Sequence, residues 1–380
     1  MKIVLSGVET NNKGAELMLY AILQEIERKF PDAEVYIPGD RLFHSINSIS
    51  TKLDFRIIPC MKWEKLMHLD SLFMTFHIPY RFIPHMMSLG KVDYYLDGSG
   101  FKFSDQFNAS QKIVKLLNMK LTTFKRMGTK IIYLPQAFGP FKKSNAREIV
   151  SVLNDNSSLI IAREKVSYKY LEDSENADMG KVKLYTDFTS LVNGQFPAKY
   201  EHLRDGVCVI PNMRMIDKGA TSYEGYSKLL HAIIDKCKKS GKPVYLLNHE
   251  GKKDEMLCYQ CQREIGKDVE VVTGLNALEV KGLIASAYLV ITSRFHGLAS
   301  SLNGCVPALA TSWSHKYEEL YRDYELSNYV LPLDDKEKAL EKINELLEEK
   351  ENARIREHLK QQLPKIKEQT REMWNTIWSS

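Results

Sequence analysis

The chain has 380 residues, 44% of them apolar and 27% charged, with a formal net charge of +5. That length exceeds one ordinary domain and predicts two, and the composition is globular rather than disordered or fibrous. No run of about 18 apolar residues occurs, so no transmembrane helix is expected, and the opening MKIVLSGVET reads as a strand rather than a secretory leader, which makes a cytoplasmic location the expectation.

Lys2–Ser6 reads as the first strand. A polar loop ending in Asn11-Asn12-Lys13-Gly14 leads into a helix over 15–30, whose Leu17, Leu19, Ile22, Leu23 and Ile26 share one side. Glu34–Ile37 is the next strand, giving a βαβ unit with a right-handed crossover. The loop lacks G-x-G-x-x-G, so no dinucleotide fingerprint is present. Asn12 and Gly14 read either as cleft-lining residues or as a helix cap.

The stretch 55–91 changes character. It holds five of the fourteen methionines among aromatic and basic residues. Methionine adapts to irregular apolar partners, so this insertion reads as a helical hairpin or as a membrane-interface segment. From Lys52 to Lys143 there are 15 Lys/Arg against 6 Asp/Glu, which points to an anionic partner on the first half. No nucleic-acid-binding motif accompanies this charge, so a phosphate-bearing small molecule or an anionic membrane surface fits better.

Val92–Leu96 is a strand that empties into Asp97-Gly98-Ser99-Gly100. An aspartate at the carboxyl end of a strand is placed to accept a hydroxyl proton; the alternative is an Asx turn. A helix over 113–127 and a strand over 130–134 follow, then the loop Pro135-Gln136-Ala137-Phe138-Gly139-Pro140. Leu159–Ala162 is a strand ending at Arg163-Glu164, where an ion pair at a helix start is the plain reading. The turn-rich residues 195–204 mark a domain boundary.

The second half repeats the alternation: strands at 206–210, 243–247 and 269–272, and helices at 223–240, over the stretch that carries Cys258 and Cys261, and at 278–285. The Cys258-x-x-Cys261 pair lies within a polar helical pattern with no second pair nearby, and all six cysteines are scattered in the manner of reduced thiols. Tyr288–Ile291 is a buried strand running into Thr292-Ser293-Arg294-Phe295-His296-Gly297, and a helix follows. Arginine offers a planar fork for carboxylate or phosphate, and histidine transfers protons near neutral pH. A helix start at a strand's carboxyl end also favours anions. The corner therefore reads as an anion site with a proton-transfer group two residues from its anchor. Residues 336–380 form a charged helical tail, and Pro364 is expected to kink or restart it.

The Ser-Arg-Phe-His-Gly turn, the Gly304-Cys305-Val306-Pro307 before the next strand, and His315-Lys316-Tyr317 opening the following helix resemble the polysaccharide pyruvyltransferase family. The Asp97 loop, with Ser99 in place of a second consecutive glycine, is similar to that family too. So are the Gln136 loop, the Arg163-Glu164-x-x-Ser167 run and, faintly, the Asn12-x-Gly14 loop. The resemblance implies an α/β fold of two Rossmann-like domains facing a cleft, like glycosyltransferases of the B type, with C-terminal helices crossing back to the first domain. It places an acceptor domain at 1–195, a donor domain at 196–345 and a tail at 346–380. It implies pyruvate transfer from phosphoenolpyruvate onto a sugar as a ketal, in exopolysaccharide or capsule synthesis, with no cofactor or metal. The acceptor would be a polysaccharide or a polyprenyl-diphosphate-linked precursor handled at the inner face of the membrane.

Phosphoenolpyruvate carries two anionic groups. Arg294 and Arg163 are the expected anchors, with Lys316 third; Ser293, Gly297, His315, Asn12, Gly14, Gly98 and Gln136 are expected to line the substrate sites. His296 is the expected acid and Asp97 an expected base. A nucleotide-sugar glycosyltransferase on the same fold is the runner-up, weakened because Ala299 stands where such enzymes carry a ribose-binding glutamate. A non-catalytic glycan-binding protein is the third reading.

Overall fold

A computed structural model describes residues 1–38, 49, 51–58, 89–217, 219–311, 315–331 and 335–380. Most of the methionine-rich stretch 55–91 lies outside the described residues. The chain divides into two compact units. The first comprises Met1–Thr10, Met18–Phe188 and Arg371–Ser380, and the second comprises Asn11–Leu17 and Thr189–Thr370.

The first unit is built on an eight-stranded sheet whose pairings are all parallel. Its elements in chain order are β1 (Lys2–Ser6), α1 (Lys13–Lys29), β2 (Glu34–Pro38), β3 (Asp54–Ile58), β4 (Tyr94–Asp97), β5 (Phe101–Phe103), α2 (Gln111–Arg126), β6 (Lys130–Phe138), α3 (Ser144–Asn156), β7 (Leu159–Ala162), α4 (Lys165–Glu172) and β8 (Val182–Leu184). The spatial order is β3-β2-β1-β4-β6-β7-β8, with β5 beside the end of β6. β4 and β7 are buried along their whole length. Uninterrupted apolar runs such as LIIA belong in a parallel sheet covered on both faces. The last turns of the chain pack in this unit: Trp378 stands edge-on to Phe30 and Tyr94, and its Nε1–H donates to Glu25 Oε1 at 2.9 Å.

The second unit has a six-stranded, all-parallel sheet. Its elements are β9 (Val207–Ile210), α5 (Arg214–Asp217), α6 (Tyr223–Lys238), β10 (Val244–Leu247), α7 (Gly251–Ile265), β11 (Glu270–Val272), α8 (Ala277–Ala285), β12 (Leu289–Thr292), α9 (Phe295–Asn303), β13 (Ala308–Thr311), α10 (Lys316–Asp323), β14 (Val330–Leu331), α11 (Lys336–Leu347) and α12 (Glu349–Ser379) as far as Thr370, its remainder belonging to the first unit. The order β11-β10-β9-β12-β13-β14 is the doubly wound 3-2-1-4-5-6 pattern. Each unit is thus Rossmann-like, as the sequence predicts. In each, the strand order reverses beside the first strand, between β1 and β4 and between β9 and β12, and the carboxyl ends there are where an open sheet offers a crevice.

Local chemistry explains the elements that frame the second sheet. Asn276 and Glu279 form a reciprocal capping box that starts α8. Cys258 and Cys261 turn inward from α7 into the core, where burial pushes both thiols up, Cys261 to about 12. Pro364 lies inside the tail helix. α12 runs without a restart from Glu349 to Ser379, because Leu359 and Ile366 on either side of the proline are buried and hold the helix against the core.

Candidate functional site

The second unit's crevice is assembled around Arg294. Strand β12 pairs with β9 in a register that sets Thr292 against Ile210, so the loops after both strands share one edge. Ser293, between Thr292 and Arg294, is almost fully buried. Its Oγ bonds Tyr226 Oη at 2.5 Å and also Thr311 Oγ1, while its carbonyl accepts from Asn212 Nδ2 and Tyr317 Oη, both at 2.7 Å. Ser293 is therefore a structural knot that fixes the turn, and its side chain is spent on the protein. Gly297 follows for a packing reason: a Cβ there would stand 2.6 Å from Thr292 Oγ1 and 3.0 Å from Ile210 Cδ1.

Arg294 occupies the N-cap position of α9 in extended conformation and makes no capping bond. Its guanidinium is held by two carboxylates from the start of α7. Nε donates to Asp254 Oδ2 at 2.8 Å, Nη2 donates to the same oxygen, and Nη1 donates to Glu250 Oε2. Asp254 is buried (side chain 1% exposed), whereas Glu250 is 22% exposed. Burial pushes the Asp254 carboxyl up to about 7, against the pull of the Met213 N–H that bonds it, and pushes the Arg294 guanidinium down to about 10. Asp254 also accepts from the Met213 N–H at 3.0 Å, which ties the loop after β9 to the loop after β10. A cavity of about 200 Å³ opens beside this cluster, lined by Asn11, Met213, Arg214, Asp217, Lys252 and Lys253 as well as Glu250, Gly251, Asp254 and Arg294.

His296 lies in the first turn of α9, half-buried, with its ring edge-on to Phe295. Asn11–Leu17 belongs to this unit and passes directly against it. The Lys13 N–H donates to the His249 carbonyl at 3.1 Å, and Asn12 forms an isolated antiparallel bridge with Glu250. A Cβ on Gly14 would stand 2.3 Å from His296 Nδ1, so only glycine leaves the imidazole where it is. Asn12 is also a helix cap, its Oδ1 accepting from the Gly14 and Ala15 N–H groups at 2.9 and 3.3 Å. Lys316 opens α10, its Nζ 5.7 Å from the centroid of the Phe295 ring, and His315 precedes it, half-buried. The structure thus brings Arg294, His296, Asn12, Gly14 and Lys316 to one region of the second unit.

The remaining predicted residues lie in the first unit. Asp97 ends β4, buried, with Oδ1 accepting from the Ser99 N–H at 3.1 Å in an Asx turn. Gly98 sits where a Cβ would come 3.1 Å from Val8 Cγ1 and 3.2 Å from Ile22 Cδ1. Gln136, near the end of strand β6, is fully buried, and neither its Oε1 nor its Nε2 has a hydrogen-bond partner among the described residues. Its carbonyl receives the Arg163 N–H at 3.0 Å. Arg163 and Glu164 are both buried, with Nε and Oε2 3.9 Å apart.

Three residues of the second unit were not predicted. Glu250 and Asp254 are four apart on the first turn of a helix, a spacing that puts both on one face; only the fold shows that Arg294 meets them. His249 is 3% exposed, with Nδ1 unpartnered among the described residues. Burial, then the positive charges of Arg294, His296 and Lys13, hold its imidazole well below the ordinary histidine range, so it is neutral.

Residues 12–315 match the model of the polysaccharide pyruvyl transferase family. Among solved structures, the chain is similar to Anabaena HepE in complex with UDP and glucose (13% identity, TM-score 0.63, 100% of both chains covered). It is also similar to UDP-GlcNAc 2-epimerase from Methanocaldococcus jannaschii (13%, 0.58, 93% of this chain and 94% of that one) and to that from Neisseria meningitidis (10%, 0.61, 100% of both). These likenesses establish a glycosyltransferase-B-like fold.

Proposed function

Because the chain belongs to the polysaccharide pyruvyl transferase family and is a transferase, we propose that it moves pyruvate from phosphoenolpyruvate onto two hydroxyls of a sugar. In this reading Arg294 and Lys316 anchor the donor's anionic groups. His296 gives a proton to the donor's methylene carbon as one sugar hydroxyl oxygen bonds to C2. The second hydroxyl then bonds to C2 and phosphate leaves with the C2–O bond electrons, so C2 ends as a ketal carbon bearing a methyl group. The hydroxyl protons go to a base and to the departing phosphate. The observation that carries this reading is the pairing of a guanidinium and an imidazole two residues apart at the switch point of a Rossmann-like sheet, with Gly14 clearing space against the ring.

The first unit supplies the acceptor side of the proposal. Gln136 supports it best: a buried amide with neither end paired costs about 1–3 kcal/mol per group, and sugar hydroxyls would repay that. Asp97 is the proposed base and Gly98 a lining residue, whereas Arg163, the second expected donor anchor, is buried in this unit beside Glu164 and is not given a donor role. No cofactor or metal enters the scheme. No described helix is long and apolar enough to cross a membrane. A polyprenyl-diphosphate-linked acceptor reached peripherally at the inner membrane face is favoured by α2, which carries Lys112, Lys115, Lys120, Lys125 and Arg126 and no acidic residue.

The test is ligand-dependent melting followed by turnover. Phosphoenolpyruvate should raise the melting temperature and UDP-sugars should not; the opposite result would overturn the donor assignment in favour of a nucleotide-sugar enzyme. His296→Ala should fold normally and lose about 10²–10⁴-fold in kcat. A variant that keeps the wild-type rate removes His296 from the chemistry.

A further inference from the structure

Arg294 is not waiting empty for an anion: two carboxylates of its own chain already hold it. These two are unlike each other. Asp254 is buried, contacts two nitrogens of the guanidinium and is locked by the Met213 N–H. Glu250 is partly exposed, contacts one nitrogen, and borders the cavity of about 200 Å³. Its backbone is pinned independently by the bridge to Asn12, so the side chain can swing without disturbing the loop. Glu250 also stands at the N-cap of α7 yet makes no capping bond. The N–H groups of that first turn and Lys252 offer its carboxylate a second seat.

We infer that Glu250 is a displaceable stand-in for the donor, its carboxylate occupying the Arg294 nitrogen that an anionic group of the donor takes over, while Asp254 is the permanent positioning partner. This rests on reading Arg294 as the donor anchor. Three consequences follow from the geometry. The guanidinium is held in its working orientation before substrate arrives, so little ordering cost remains at binding. Donor binding competes with an internal carboxylate, which weakens it. Any anion lacking the reach to displace Glu250 is discriminated against, because a ligand shifts an equilibrium only by its differential affinity for the two states.

The experiment is titration calorimetry of phosphoenolpyruvate and of pyruvate against wild type, Glu250→Gln, Glu250→Ala and Arg294→Gln, with thermal unfolding as the folding control. A partly exposed ion pair is worth about a fivefold change in affinity. Both Glu250 variants should therefore bind phosphoenolpyruvate about fivefold more tightly, with KM falling by a similar factor, and Arg294→Gln should abolish binding. If wild type binds and the Glu250 variants bind equally or more weakly, the inference is overturned and the donor assignment stands. If Arg294→Gln binds as wild type does, or no protein in the set binds, the assignment of Arg294 falls, and this inference with it.

Discussion

Gly14 shows how a single missing carbon sets the position of a reactive group. It carries no unusual backbone angle, so alanine is conformationally allowed, and at a helix start alanine is favourable. The added carbon would nonetheless stand 2.3 Å from His296 Nδ1, and the imidazole must turn away. Gly14→Ala is expected to keep its melting temperature while losing at least about tenfold in kcat, since small misplacements of a catalytic group are costly. Unchanged turnover would show that the ring's position does not matter. His249, in the loop after β10, makes a pH prediction. Burial first, then neighbouring cations, keep it neutral when folded. Unfolded, it takes up a proton below its ordinary value of 6.5. The unfolded state then binds more protons, so stability falls as pH drops below that value, by up to about 1.4 kcal/mol per pH unit from this residue. Urea titrations at about pH 7 and about pH 5.5 should show a shallower loss for His249→Gln than for wild type; equal losses would place the titration elsewhere.

At the scale of elements, helices meet loops through backbone contacts that leave no room for side chains. Gly282 in α8 packs so closely that a Cβ would lie 2.3 Å from the carbonyl carbon and oxygen of Gln195. The neighbouring Lys281 is buried, and its Nζ donates to the Thr189 carbonyl at 2.7 Å. Alanine at 282 would gain about 1 kcal/mol in helix propensity, but overpacking against main chain costs about 1–3 kcal/mol, and backbone cannot rotate aside as a side chain can. Gly282→Ala should therefore be net destabilising in chemical denaturation; a stabilised variant would mean that the Gln195 segment yields freely. Pro364 illustrates the reverse balance. One helix hydrogen bond is lost there, yet α12 continues, since tertiary burial of Leu359 and Ile366 outweighs the local defect.

The whole chain carries its charge unevenly. The span from Lys52 to Lys143 has 15 basic against 6 acidic residues. Among the described residues the excess is concentrated on α2, which carries the exposed Ile113 and is preceded by the exposed Phe107. Basic residues near an anionic surface contribute about 1 kcal/mol each and are screened by salt. The protein should co-sediment with vesicles containing phosphatidylglycerol at low ionic strength and release at about 1 M salt. Replacing Lys112, Lys115 and Arg126 by glutamine should cut that binding by at least about tenfold. Binding that is insensitive to these changes would move the contact off α2.

The alternation of short apolar runs with amphipathic helices was enough to establish two parallel-sheet, Rossmann-like units, because strands buried on both faces must read as β-branched runs. The Thr292–Gly297 corner was legible for the same reason: a strand end, an arginine, a histidine and a helix start are all local in the chain. What Arg294 touches was not legible. Asp254 and Glu250 lie 40 and 44 residues away, and only the pairing of β12 and β10 on either side of β9 brings them to the guanidinium. The same holds for Gly14 beneath His296, and for Ser293, whose place in the motif suggested a ligand but whose hydroxyl is consumed by Tyr226 and Thr311. Periodicity encodes which face of an element is buried. Contacts between residues far apart in sequence depend on strand order and register, and these are properties of the folded sheet.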